Sequence, residues 1–235
     1  MKQIEIKSLK YQKTGKYHLE AGIDNQDAVF EAESGSAKII AIADGVSCCE
    51  NSKKGAEAAC KAVSKIMLEE TEYMFSSGTE KVKGLLFAYV YKKLMAEAKA
   101  EGNEVESYSS TLAFVCINKI SGEVMTFVLG DSLVYRISEG EMSLACSPQL
   151  SGDSKTYTTT TEGAEQIIEI NTFMPKEKLC FLLATDGAWK CFYSGGVMSE
   201  KAQMAVREGN IIGYLEAQEC SDDCSIVMMD VPKGA

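Results

Sequence analysis

The chain has 235 residues, 46% of them apolar and 25% charged, with three prolines and a formal charge of −10 from 24 basic and 34 acidic side chains. That composition suits one large globular domain, read here as residues 1–235, and excludes fibrous, collagen-like and disordered chains. The acidic balance argues against nucleic acid or an anionic membrane surface as partner, because both need clustered Lys and Arg.

In chain order, the N-terminal residues mix charged and apolar side chains without the apolar core of a signal peptide, and no later stretch is long and apolar enough to span a bilayer. Strands are predicted over 28–33 and 38–43, joined by a tight turn at Gly35-Ser36. From 52 to 75 the residues Ala56, Ala59, Cys60, Val63, Ile66 and Met67 recur at helical spacing, and Ser76-Ser77-Gly78 ends the run. A second helix carries Val82, Leu85, Leu86, Tyr89, Val90 and Leu94 on one face and stops near Gly102-Asn103. Further strands are predicted over 111–117, 123–129, 133–137, 179–184 and 224–230, with Ser121-Gly122 as a second hairpin turn. Strands that come in clusters pair antiparallel. Runs such as Ile39-Ile40-Ala41-Ile42-Ala43 and Phe181-Leu182-Leu183-Ala184 are apolar on both faces, so both sides of each sheet should be covered, with helices outside.

Nine cysteines without an export signal point to reduced thiols in the cytoplasm. With His18 as the single histidine and no paired C-x-x-C motif, a zinc site is not expected.

The aspartates carry the chemical signal. Asp44, Asp131 and Asp186 follow predicted strands, whereas Asp27 and Asp222-Asp223 precede them. In antiparallel sheets the end of one strand lies beside the start of its neighbour, so both groups can collect at one edge. If Gly35 and Ser36 are the central residues of the turn, paired positions sum to 71 and Asp27 faces Asp44. Opposed like charges repel unless something offsets them. Aspartate next to glycine is also ordinary turn chemistry, and each of Asp44-Gly45, Gly130-Asp131 and Asp186-Gly187 alone reads more readily as that. Together, without interleaved Lys or Arg, they favour a hard cation, Mg²⁺ or Mn²⁺, held by oxygen.

Asn25-Gln26-Asp27, Ala43-Asp44-Gly45-Val46, Ser110-Thr111-Leu112, Gly130-Asp131-Ser132, Ala184-Thr185-Asp186-Gly187 and Asp222-Asp223-Cys224-Ser225 follow one another in the order of the motifs of the metal-dependent type 2C serine/threonine protein phosphatases. Across nearly the whole chain the sequence resembles that family, and its His18-x-x-x-Gly22-x-x-Asn25-Gln26-Asp27 stretch is most similar to the bacterial branch. The resemblance implies an α+β, four-layer α/β/β/α sandwich, two antiparallel sheets face to face, with two Mn²⁺ or Mg²⁺ ions at one end. Carried over by position, Asp44 would bridge both ions, the Gly45 carbonyl would bind one, and Asp186 and Asp222 would complete the other. Asp27 would hold metal-bound water, and Asp131 would serve a third, weaker ion. The implied reaction is hydrolysis of phosphoserine or phosphothreonine in proteins, by hydroxide that the ions generate and aim, with a Ser/Thr kinase or its targets as partners.

The chain also departs from the family. The arginine usually found a few residues before the first motif aspartate is absent, and His18, with Lys16, is the candidate to replace it; the alternative is a purely structural histidine. Val46 stands where eukaryotic relatives carry a histidine. Residues 146–163 correspond to the variable flap beside the active site, and Cys48 and Cys49 near it are read as buried, inert thiols, the alternative being thiols whose oxidation affects activity. The competing reading is a phosphatase-like binding module without turnover; a two-metal nuclease is disfavoured by the negative charge.

Overall fold

The computed structural model describes residues 6–147, 149 and 156–233. Its first half runs β1 (Ser8–Lys13), α1 (Lys16–Ala21), β2 (Ala28–Glu33), β3 (Ala37–Ala43), α2 (Ser52–Glu69), α3 (Thr71–Ser76), α4 (Thr79–Glu101), β4 (Leu112–Asn118) and β5 (Val124–Leu129). The second half continues with β6 (Leu133–Ser138), β7 (Glu141–Cys146), β8 (Glu169–Phe173), β9 (Leu179–Ala184), α5 (Asp186–Phe192), the short β10 (Tyr193–Ser194) and β11 (Val197–Met198), α6 (Glu200–Arg207), α7 (Ile211–Glu216) and β12 (Cys224–Val231). Two five-stranded antiparallel sheets result, ordered β1-β12-β9-β6-β7 and β2-β3-β4-β5-β8.

The strands that are apolar on both faces feed two different cores, because successive side chains in a strand point to opposite faces. In β3, Ile39, Ala41 and Ala43 pack under α2 and α4, while Ile40 and Ile42 enter the layer between the sheets. In β9, Phe181 and Leu183 face that same middle layer, whereas Leu182 and Ala184 pack under α5, α6 and α7. Three apolar layers therefore separate four layers of structure, the expected α/β/β/α sandwich. A one-residue slip in β3 or β9 would exchange the contents of two cores, so register is tightly specified.

Several elements differ from expectation. The helix predicted over 52–75 is two helices, because Glu70 leaves helical geometry and the Thr71 hydroxyl donates to the Met67 carbonyl at 2.9 Å. Such side-chain competition for a backbone carbonyl is a known helix interrupter. On α4, Val82, Leu86, Val90 and Leu94 are buried as predicted, but Leu85 is exposed. The connection between β4 and β5 is a hairpin wider than a two-residue turn: Asn118 pairs with Ala37 on the far side, and its side chain accepts from the Ile120 and Ser121 amides. Strands β1, β7, β8, β10 and β11 and helices α1, α5, α6 and α7 were not legible as elements. Cys48 is exposed and Cys49 half-buried, against the expectation of two buried thiols. No helix among the described residues is long and apolar enough to cross a membrane.

Candidate metal centre

The hairpin of β2 and β3 places the first two acids. Its register runs from Glu33 opposite Lys38 to Ala28 opposite Ala43, each pair summing to 71, so the next step outward sets Asp27 against Asp44. Asp44 is fixed through its backbone: its amide donates to Thr111 Oγ1 at 2.9 Å and its carbonyl accepts from the Thr111 amide at 2.8 Å. Thr111 also meets Ser132 Oγ at 3.0 Å, which ties the Ser110-Thr111-Leu112 motif to the segment beside Asp131.

The other sheet supplies Asp186 and Asp222. Strands β9 and β12 pair side by side, with Ala184 opposite Ile226, so the start of α5 lies beside the residues that precede β12. Thr185 joins the two sheets at this edge, donating to Asp27 Oδ2 at 2.9 Å while accepting from the Ser225 amide at 3.1 Å. The Asp222-Asp223 turn is clamped between two glycines. A Cβ on Gly187 would lie 2.1 Å from the Asp223 carbonyl oxygen, and one on Gly15 would lie 2.2 Å from the Asp222 carbonyl carbon. Only glycine permits such approach.

Electrostatics single out the cluster. Asp27 is 5% exposed, and its carboxyl is held well above the usual range by burial, with the charges of Asp223 and Asp186 adding to that and hydrogen bonds from Ser225 and Thr185 opposing it. Asp44 is likewise raised, first by burial, then by the charges of Asp27, Asp186, Asp131 and Asp222, so every other acid of the group acts on it. Asp131 is raised by burial and by Asp186. Asp27 Oδ1 and Asp186 Oδ1 are buried with no hydrogen-bond partner among the described residues. Uncompensated buried carboxylate oxygens are costly, and a hard cation is the group that would satisfy several at once.

The oxygen-only donor set fits Mg²⁺ or Mn²⁺. Among the described residues, however, no three acidic, thiol or imidazole groups close on a common point, so the acids are neighbours without a ready-made coordination cage. One basic side chain that the sequence reading passed over enters the cluster: Lys190 Nζ lies 2.5 Å from Asp186 Oδ2. Its spacing, four residues after Asp186, was the available signal.

The two expected phosphate ligands stand elsewhere. His18 is 8% exposed, and its Nδ1 lies 2.8 Å from Asp223 Oδ2. The same Asp223 accepts from the Gly15 amide at 2.8 Å and the Gln26 amide at 2.6 Å, so it organises the chain around Asp27 rather than facing the acid cluster. The imidazole at this position completes that network, which is the structural alternative. Lys16 is exposed and pairs with Glu219 at 3.2 Å. Of the expected flap, residues 148 and 150–155 lie outside the described residues; Thr156 beyond them donates to Asp131 Oδ2 at 2.9 Å. Beside Asp27 a cleft of ≈ 320 Å³ runs past Asn25 and Gln12 to Lys53 and Lys61 on α2.

The family model described as protein phosphatase 2C matches residues 14–208. The chain belongs to the protein phosphatase 2C family. Among solved structures, this protein phosphatase 2C chain is similar to the catalytic domain of the serine/threonine phosphatase PstP with two manganese ions, at TM-score 0.70 and 14% identity over 97% of this chain and 99% of that one. PppA, a regulatory component of a secretion system in Pseudomonas aeruginosa, matches at TM-score 0.67 and 16% identity over 98% of both chains. RsbX in complex with magnesium matches at 0.62 and 13%, over 96% of this chain and 95% of that one. Identities this low speak for the shared fold alone. No curated protein sequence matches the chain.

Proposed function

We propose that this protein phosphatase 2C member is a divalent-metal-dependent phosphatase, of the bacterial type, acting on phosphoserine or phosphothreonine in proteins, with a Ser/Thr kinase or its targets as functional partners. The observation that carries the reading is the gathering of Asp27, Asp44, Asp131, Asp186 and Asp222 from both sheets at one edge of the sandwich, with Asp27 Oδ1 and Asp186 Oδ1 buried and without partners among the described residues. The free thiols suit a reducing cytoplasm. PstP and RsbX have been solved with manganese and magnesium respectively, the hard ions that carboxylate oxygens favour.

Asp44 would hold both ions, with the Gly45 carbonyl on one and Asp186 and Asp222 on the other. When bound, such ions supply an acidified water as nucleophile and neutralise charge on the phosphoryl oxygens. Asp27 would orient and deprotonate that water at Oδ1, because its Oδ2 is engaged by Thr185. Thr111 holds the Asp44 backbone and Thr185 the Asp27 carboxylate, so little reorganisation remains for the reaction. With His18 and Lys16 engaged elsewhere, phosphate capture would rest on the ions.

A second reading, a phosphatase-like binding module, is favoured by the lysine already paired with Asp186 and by the missing arginine. Hydrolysis of an aryl phosphate and a phosphothreonine peptide with Mn²⁺, Mg²⁺ or chelator decides between them. Metal-dependent turnover abolished by Asp44→Asn supports the enzyme, whereas two bound ions without turnover support the module.

A further inference from the structure

The cysteines differ in what surrounds them. Cys60 and Cys116 are fully buried, out of reach of solvent. Cys191 and Cys220 instead meet each other: their sulfurs lie 3.5 Å apart, although 29 residues separate them along the chain. Cys191 is half-buried in the last turn of α5, and Cys220 is 5% exposed in the segment that leads into Asp222-Asp223.

Both backbones at this contact are held in place. The Tyr214 hydroxyl donates to the Cys191 carbonyl at 2.6 Å, and the Lys16 amide donates to the Cys220 carbonyl at 3.0 Å. The Cys191 thiol turns back along α5 toward the Gly187 carbonyl, 3.2 Å away. Joining the two sulfurs requires them to close by about 1.5 Å, to the disulfide length of about 2.0 Å. The gap is small, but the packing beside it has no slack, since a Cβ on Gly187 would lie 2.1 Å from the Asp223 carbonyl oxygen. Helix α5 has seven residues, with Asp186 first and Cys191 next to last. A pull on its last turn therefore tilts the helix about the Gly187 contact and shifts Asp186 relative to Asp222.

We infer that Cys191 and Cys220 form a reversible disulfide, made in the presence of hydrogen peroxide, that weakens metal binding at the acid cluster. The bond follows from the sulfur geometry; its effect on the cluster rests on the metal reading proposed above. Peroxide oxidises the more accessible Cys191 to a sulfenic acid, its O–O bond breaking and one water leaving. The Cys220 sulfur then bonds to the Cys191 sulfur as the S–O bond breaks, and the oxygen leaves as a second water with the Cys220 proton. The two thiols lose two electrons and the peroxide gains them; a small dithiol returns both cysteines to thiols by exchange. In a reducing compartment such a bond is transient, as in redox sensors.

Peptide mapping by mass spectrometry, with Mn²⁺ calorimetry on the same samples, tests this on the metal-stripped full chain before and after hydrogen peroxide. The Cys191 peptide should appear joined to the Cys220 peptide and be released by dithiothreitol. Mn²⁺ affinity should fall about tenfold or more on oxidation, the range seen when groups that orient metal ligands are disturbed, and return on reduction. Cys191→Ser and Cys191→Ala should form no such link and keep their affinity in peroxide, with circular-dichroism melts checking that each is folded. Absence of the joined peptide, Cys220 joined to Cys224 instead, unchanged affinity in the linked protein, or an equal fall in both variants overturns the inference. Mn²⁺ binding by the reduced protein without hydrolysis refutes the phosphatase reading and leaves the switch standing. No Mn²⁺ bound by the reduced protein overturns the metal reading and the switch together.

Discussion

Replacing Asp44 with asparagine should act with opposite signs on metal-free and metal-loaded protein. Without metal, Asp44 is the acid most exposed to its neighbours' charges, and burial already disfavours its ionised form. Asparagine keeps the shape and removes the charge, so in chelator the variant should be more stable than wild type, by on the order of 1 kcal/mol. With metal at about one hundred times its dissociation constant, wild type should gain about 2.7 kcal/mol. For a chain of this size that is roughly 5–10 °C in Tm, at about 2–4 °C per kcal/mol. The variant, lacking a ligand, should gain less than about 2 °C. The pH dependence has a definite sign. Because the folded-state pKa values of Asp27 and Asp44 are raised, the folded chain binds more protons than the unfolded one between the ordinary carboxylate value of about 3.9 and the raised value. Stability in chelator should therefore fall as pH rises through that window, and Asp44→Asn should flatten the fall. Scanning calorimetry with chelator and with Mn²⁺, over a pH series, measures both effects. An equal Tm gain from Mn²⁺ in both proteins, or destabilisation of the chelated variant, would refute the reasoning.

Other substitutions separate structure from chemistry. His18→Ala should cost about 1–3 kcal/mol in urea unfolding, since Asp223 loses a buried partner, and should leave KM for the phosphoester unchanged; a raised KM would return His18 to phosphate binding. Thr185→Val cuts the tie between the sheets at Asp27 Oδ2, and Mn²⁺ calorimetry should show binding weakened about 10–100-fold. Unaltered affinity would show that Asp27 holds its place alone. Gly187→Ala puts a Cβ 2.1 Å from the Asp223 carbonyl oxygen, and should cost about 1–3 kcal/mol or more by denaturant titration; a neutral outcome would mean that the Asp222-Asp223 turn is free to move.

The residues of β2, β3, β4, β5, β6, β9 and β12 announce themselves because their apolar runs are dense enough to outweigh local ambiguity. Residue spacing at the Gly35-Ser36 turn set Asp27 against Asp44, since register in a hairpin follows from the turn. Other elements were silent. β1 carries two lysines over six residues, reading SLKYQK, and β7 is largely exposed, so neither has an apolar face to detect. α5 begins on the very aspartate that looked like turn chemistry, and seven residues give too little periodicity to declare a helix.

Local pattern thus determined which residues sit at strand ends and which acids were candidates, because those facts depend on near neighbours along the chain. What each polar side chain does was decided by partners far away in sequence. Asp223 accepts from Gly15, His18 and Gln26, about two hundred residues earlier, and Thr185 reaches across to Asp27, 158 residues away. Adjacent and alike in sequence, Asp222 and Asp223 differ because one is enclosed by donors and the other is not. Asp222 comes to lie beside the start of α5 only because β9 and β12 pair. Hydrogen bonding and burial are properties of the packed molecule, and no window of neighbouring residues contains them.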